Sequence, residues 1–517
     1  MIALISLQFI LLLLDVATAS PLKRQVWPAH TTVDGNDLLP GGNEKFPMPT
    51  RAQHRYADNE IAVMITFNMG TYYPRGNQDP ACHPSNWNGP HGSSNPASFN
   101  PYLLDTNQWG QVFRSLGAKH AVLTAKHGCG FLLWPSKVKL RNALTNQTEP
   151  YSYAVGQPGA AIQVDVVDQF AKSMRHHGLG VGFYYSMKNN FFLNMKDHHF
   201  DNATYLLPGQ VNVTHEGYEA MALEHLRELW TNYGNLTEIW FDGGYTTSTL
   251  DRLKSMLEEL QPDAAVWRGE GITKSSVAWI GTESGFPGGD DIWSTGCDVS
   301  GNTGHPYSPE WCPKGCDTTL QENDEWFYIQ EVPIRSLSTM MNIYHRTVGR
   351  NGVLELDVAV DETGRIPYNH AQRYQEMGDY IRHCYGTPLQ QWTDNIDGYI
   401  VNLDLTQPVW TDRIMLREDQ WRGGQRVLEY KIYVRVHNRE ASDNDQDTWI
   451  LFSQGKSIGN KRIDFFNATI PEAVQIHALQ FHALAARNTP LLREISVFAP
   501  CPEPSKFTLT SAVNSIL

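Results

Sequence analysis

The stretch Thr237-Glu238-Ile239-Trp240-Phe241-Asp242-Gly243-Gly244 decides the fold class. An apolar strand stops abruptly at one carboxylate, and two glycines follow at once. In a parallel α/β barrel the carboxyl ends of the strands open onto the active-site face, so a residue that closes a strand there is a catalytic candidate. Glycines behind it let substrate approach the backbone. A lone strand-end Asp can equally cap a turn. The other strand ends of this chain weigh against that reading.

Four further apolar runs end the same way. Ile61 to Ile65 runs into Thr66-Phe67-Asn68, and Ala121 to Thr124 runs into Lys126-His127 with Phe131 and Trp134 beyond. Gly180 to Phe183 runs into Tyr184-Tyr185-Ser186, and Val277 to Ile280 into Thr282-Glu283-Ser284-Gly285. Continuous apolar strands suit a sheet covered on both faces. Between them lie helical stripes: Val166, Val167, Phe170, Ala171 and Met174; then Tyr218, Ala222, Leu226, Leu229 and Trp230; then Leu250, Leu253, Met256, Leu257 and Leu260. The alternation predicts an α/β protein with a (β/α)8-like catalytic barrel whose strand tips carry aromatic, His and carboxylate groups.

At 517 residues the chain exceeds one compact core. The barrel is expected over 56–385, closing with a helix through Tyr374, Met377, Tyr380 and Ile381 before the break at Gly386-Thr387-Pro388. Beyond it the period becomes two: Leu428, Tyr430, Ile432, Val434 and Val436 alternate with polar or half-exposed neighbours. Trp449 to Phe452 and Ile476 to Leu484 are further strands, which predicts an antiparallel C-terminal β-sandwich over 386–505 and a tail over 506–517. At the other end, Ile2 to Leu14 is apolar but too short to span a bilayer, and Ala17-Thr18-Ala19 offers a small-x-small cleavage site, so residues 1–19 read as a secretory signal peptide. Residues 20–55 read as an irregular arm with a possible dibasic processing site at Lys23-Arg24.

A formal charge of −14 argues against nucleic acid, and no later stretch is apolar enough for a membrane helix. Five sequons, at Asn146, Asn202, Asn212, Asn235 and Asn467, fit a secreted, extracellular glycoprotein. Seven cysteines leave at least one unpaired in an oxidising compartment, and a disulfide is expected among Cys297, Cys312 and Cys316. The Cys312-x-x-x-Cys316 spacing lacks a following His at ligand distance, so no metal site is assigned, and no cofactor motif stands out.

Four phrases in one order resemble glycoside hydrolase family 29, the α-L-fucosidases. They are Leu123-Thr124-Ala125-Lys126-His127 with Gly130-Phe131 and Trp134-Pro135-Ser136-Lys137; Ile239 to Gly243; Trp279 to Gly285; and Val348 to Leu354. The resemblance implies a barrel followed by a sandwich, and a retaining hydrolysis of terminal fucose from fucosylated oligo- or polysaccharides. Such chemistry needs two carboxyl groups, one to attack and one to protonate the leaving oxygen. Asp242 matches the family's nucleophile, and Glu283 its acid/base in one branch, with Glu310 and Glu325 as alternatives. His127, Trp134, Tyr184 and Trp293 are the fucose-binding candidates. The chain departs from the family at Thr66, Gly128, Cys129 and Gly315, where His, His, Asp and Glu are usual. Those losses keep a non-catalytic fucose-binding relative, or a barrel glycosidase for another sugar, as competing readings. Cys129 is expected to be an unpaired thiol lining the pocket, with a Cys82–Cys129 bridge as the alternative.

Overall fold

The computed structural model describes residues 46–73, 83, 87, 92–200, 206–280, 283–297, 303–437, 447–466 and 472–507. The signal peptide, the dibasic pair, Cys82, Asn202, Asn467 and most of the tail lie outside them. Eight parallel strands close into a barrel: β1 (Ile61–Thr66), β2 (His120–Lys126), β3 (Gly180–Tyr185), β4 (Glu238–Trp240), β5 (Ala265–Trp267), β6 (Ser276–Trp279), β7 (Lys314–Thr318) and β8 (Gly352–Ala359). Every neighbouring pair is parallel, and β1 pairs with both β2 and β8. The strands are buried almost throughout, including the polar His120, Glu355 and Asp357 that point into the lumen or its walls.

Helix α1 (Arg51–Asn59) leads into β1. It falls where an irregular arm is expected; its capping box between Thr50 and Gln53 starts a helix that hydropathy alone does not announce. Its Tyr56 reaches into the barrel floor and donates to Glu355. The outer layer holds α2 (Thr106–Leu116), α3 (Val166–His176), α4 (His215–Asn232), α5 (Leu250–Leu260), α6 (Leu337–Thr347) and α7 (Tyr368–Tyr385). Asp105, Asp165, Thr214 and Ser336 accept from backbone N–H groups at the starts of α2, α3, α4 and α6. The three helical stripes fall on α3, α4 and α5. The β5–β6 connection, 268–275, carries no helix, and none is described between β6 and β7; α1 lies against this part of the barrel, where Gln53 donates to the carbonyls of Ser276 and Trp311.

The sandwich has two four-stranded antiparallel sheets. Its strands are β9 (Gln390–Trp392), β10 (Ile400–Thr411), β11 (Arg413–Glu418), β12 (Val427–His437), β13 (Asp447–Gly455), β14 (Arg462–Phe465), β15 (Val474–Ala486) and β16 (Leu492–Phe498). One sheet runs β9-β16-β11-β14 and the other β10-β15-β12-β13. Tyr430, Ile432 and Val434 of β12 are fully buried between them, on the face the alternation assigns. The sandwich grips α1 from the side away from the strand tips. Arg493 pairs with Asp58, and both Arg417 and Lys461 pair with Glu60. The sandwich therefore braces the end of the barrel opposite Asp242.

Disulfides join Cys297 to Cys312 and Cys384 to Cys501. Cys316 is a buried free thiol. Cys129 is disulfide-bonded and fully buried, which corrects the expectation of an unpaired thiol in the pocket; its partner lies outside the described residues. Asn146 and Asn235 are exposed and Asn212 is half-buried. Asn235 sits before β4, on the rim opposite Asp242. No helix among the described residues is long and apolar enough to cross a membrane.

Candidate active site

The lumen is built in layers by the alternation of each strand. Lowest is a polar layer contributed by the first residues of β2 and β4 and by Glu355 of β8. Asn59 donates to His120 Nδ1 at 2.8 Å, which leaves the ring proton on Nε2, 2.6 Å from Glu238 Oε2. Burial pushes His120 down to about 4, so the ring is neutral. Burial pushes Glu238 up to about 8, and burial with the neighbouring Glu238 lifts Glu355 as well. Both carboxyls are thus inclined to keep their protons at neutral pH. Glu355 accepts from Tyr56 Oη at 2.8 Å and Trp240 Nε1 at 3.2 Å. Ligand atoms of His120, Glu238 and Glu355 lie within 4.8 Å of one another, close enough to share a metal ion. The hydrogen bonds already made by all three favour the proton.

Above this layer stands a ladder of rings. Tyr184, Trp240 and Trp267 occupy one level on β3, β4 and β5. Tyr184 stacks on Trp240 at 5.4 Å, Trp240 on Trp267 at 4.8 Å, and His127 on Tyr184 at 5.6 Å. The far end of the ladder explains Gly315: a Cβ there would stand 2.1 Å from the Trp267 ring. The space of a side chain on β7 is filled by indole.

Asp242 lies two residues beyond Trp240, hence on the same face. It is half-buried and accepts from Tyr184 Oη at 2.6 Å. Glu283 lies four residues past the end of β6, also half-buried, and takes a left-handed backbone at φ 60°. A non-glycine residue held there costs energy, and such strain gathers at functional sites. Burial lifts the Glu283 carboxyl above its usual range; Asp242 and Asp324 add to the lift, and a hydrogen bond from Trp326 opposes it. Beneath Glu283, Asp317 accepts from Trp279 Nε1 at 2.7 Å and is pushed up to about 7 by burial, with Glu283 and Glu355 contributing. Asp242, held by the Tyr184 hydroxyl, and Glu283, whose carboxyl is inclined to keep its proton, therefore face one pocket.

Of the expected sugar contacts, Tyr184 donates to Asp242 and His127 stacks on Tyr184. Trp134 does neither. It is 1% exposed, donates to Glu228 of α4 at 2.8 Å and packs edge-on against His225. It clamps the β2 loop to α4, and no face of it is open to a sugar. Trp293 is 9% exposed within the β6–β7 connection, where its backbone pairs with Thr303, and no contact among the described residues ties it to Asp242 or Glu283. Thr66 is spoken for by Asp357, to which it donates at 2.5 Å. Glu310 is exposed on the far part of the loop, and Glu325 is half-buried beside Asp324. Sequence reading missed Trp240, Trp267, Trp326 and Phe327 as pocket walls. The edge of Phe327 meets His127 at 5.1 Å.

Comparison with known proteins agrees with this fold. The α-L-fucosidase family model matches residues 86–386. A putative α-L-fucosidase 1 of Oryza sativa subsp. japonica is 26% identical, over 95% of this chain and 91% of its own length. α-L-Fucosidase 1 of Arabidopsis thaliana is 25% identical over 88% of each chain. A solved structure of a putative α-L-fucosidase from Bacteroides thetaiotaomicron superposes with a TM-score of 0.72 at 25% identity, over 88% of this chain and all of that one. A Ruminococcus gnavus fucosidase solved in complex with fucose shares the fold, with a TM-score of 0.69 at 19% identity over 91% of this chain and 99% of that one. With the barrel, the sandwich and the Asp242–Glu283 pocket in place, the chain belongs to the α-L-fucosidase family of glycoside hydrolases.

Proposed function

We propose that the protein is a secreted, retaining, exo-acting α-L-fucosidase that removes terminal α-L-fucose from oligo- or polysaccharides by double displacement. The carrying observation is the pairing of Asp242, held by Tyr184, with Glu283, whose carboxyl is lifted above its usual range. In the first step an Asp242 oxygen bonds to C1 of fucose. Glu283 gives its proton to the glycosidic oxygen, the C1–O bond breaks, and the leaving saccharide departs as an alcohol. In the second step Glu283 takes a proton from water, whose oxygen attacks C1. The ester to Asp242 breaks, and fucose leaves with its α configuration restored. His127 and Tyr184 offer donors and acceptors to the ring hydroxyls, and the ring ladder supplies an apolar floor.

Support for secretion comes from the apolar leader with its small-x-small site, the exposed sequons at Asn146 and Asn235, and the disulfides. The test is hydrolysis of an aryl α-L-fucoside set against aryl glycosides of other sugars, with the anomer followed by NMR from the first seconds. Fucose should be released selectively and appear first as the α anomer. An inverted first product, or preference for another glycoside, would overturn the proposal.

A further inference from the structure

We infer that Arg335 is a positioning residue for the proposed reaction: its guanidinium fastens the turn that carries Glu283 to the facing loop 321–329, and so fixes the direction in which Glu283 delivers its proton. The inference rests on Glu283 being the acid/base.

Arg335 directly precedes Ser336, the cap of α6. Its backbone is fixed on both sides. Its N–H donates to the carbonyl of Leu320 at 2.9 Å, and its carbonyl accepts from the Arg373 guanidinium of α7. The side chain is 12% exposed and runs from this anchored point to the last residue of β7. There the fork divides. Nη1 donates to the Thr318 hydroxyl at 2.8 Å and to the carbonyl of Ser284, the residue after Glu283, at 3.2 Å. Nη2 donates to Asp324 Oδ1 in the facing loop at 3.1 Å. Hydrogen bonds to an ionised group are stronger than neutral ones, and a planar guanidinium sets a fixed angle between its partners.

Three residues here hold left-handed backbones: Glu283 at φ 60°, Asn323 at 62° and Asp324 at 56°. Such a conformation costs a non-glycine residue and persists only where the surroundings enforce it. Arg335 bonds to one of the three directly and to the neighbour of another. It therefore holds the strained backbone on both sides of the gap.

What the two loops carry gives this bracket its role. Glu283 takes a hydrogen bond from Trp326, and the edge of Phe327 meets His127 at 5.1 Å. Buried Gln321 gathers the loop into one unit by donating to the carbonyls of Glu325 and Phe327 and accepting from the Ile329 N–H. Asp324 is where Arg335 grips that unit. On the other side, Ser284 bridges to Thr318, and the Gly285 carbonyl accepts from Thr347 of α6 at 2.8 Å. Thr347 ties the turn to the barrel wall; Arg335 ties it to the Trp326 loop as well. A general acid acts along a hydrogen bond to the leaving oxygen, and a displacement of about 1 Å can cost about a hundredfold in rate.

The experiment measures kcat and KM for two aryl α-L-fucosides, one with a strongly and one with a weakly acidic phenol as leaving group. The proteins are the wild type, Glu283→Ala, Arg335→Ala and Arg335→Lys, each as the full chain. Lysine keeps the charge, but its single nitrogen cannot copy the two-way fork. Both Arg335 variants should lower kcat for the weakly acidic leaving group by about tenfold to a hundredfold with KM within about twofold, and kcat/KM for the strongly acidic one by no more than about threefold. Glu283→Ala should show the same split, more deeply. The inference is overturned if Arg335→Lys behaves as wild type, if both substrates lose rate alike in a variant of wild-type melting temperature, or if the loss lies in KM. Where Arg335→Ala fails to fold, Arg335→Lys decides alone. No split in Glu283→Ala would end the acid/base assignment, and the inference with it. A split in Glu283→Ala without one in the Arg335 variants refutes the inference and leaves the assignment standing.

Discussion

Glu238→Gln should make the protein more stable at alkaline pH and leave it nearly unchanged at acid pH. Glu238 is fully buried and its carboxyl is pushed from 4.5 to about 8, chiefly by burial. Below pH 4.5 both the folded and the unfolded chain hold this proton. Between 4.5 and about 8 the unfolded chain releases it while the folded chain retains it, so stability falls as pH rises through that window and levels off above it. At about 1.4 kcal/mol per pH unit, the full window amounts to roughly 5 kcal/mol as an upper figure. Glutamine keeps the shape and the neutral charge: its oxygen can accept from His120 Nε2 and its amide can donate to Glu355. Urea unfolding followed by tryptophan fluorescence at pH 5, 7 and 9 would read the effect. The variant's advantage should grow by several kcal/mol from pH 5 to 9. Parallel pH curves for variant and wild type would refute the buried-proton account.

Two further changes separate chemistry from packing. Glu283→Ala should depress hydrolysis of natural saccharides by orders of magnitude more than that of activated aryl fucosides, because a good leaving group needs little protonation; equal losses would move the acid role to another residue. Trp134→Phe should cost about 1–3 kcal/mol of stability through lost volume and the lost Glu228 hydrogen bond, with KM for an aryl fucoside unchanged; a raised KM at unaltered melting temperature would restore Trp134 to the sugar site.

Strand-tip residues were legible where local pattern and position in the barrel coincide. Asp242 closes an apolar run and precedes two glycines, and the structure sets it on the lumen face two residues above Trp240. The three amphipathic stripes became α3, α4 and α5 because a 3.6-residue period survives folding unchanged. Trp134 was misread because a buried packing indole and a sugar platform are the same residue in a one-dimensional string. Only the Glu228 and His225 contacts distinguish them. Glu238 passed as an ordinary strand residue, since its partners His120 and Glu355 come from distant strands. Helix α1 was missed for a related reason: its stability comes from a capping box and from Tyr56 plugging the barrel, not from an apolar stripe.

The central claim is that Asp242 forms a covalent bond to fucose. Incubation of the wild-type chain with a slow 2-deoxy-2-fluoro-fucosyl fluoride, followed by peptide mass spectrometry, tests it most directly. The account predicts a single fluorofucosyl adduct on the peptide containing Asp242, absent from Asp242→Gly. An adduct on any other residue would contradict it, as would its persistence in that variant.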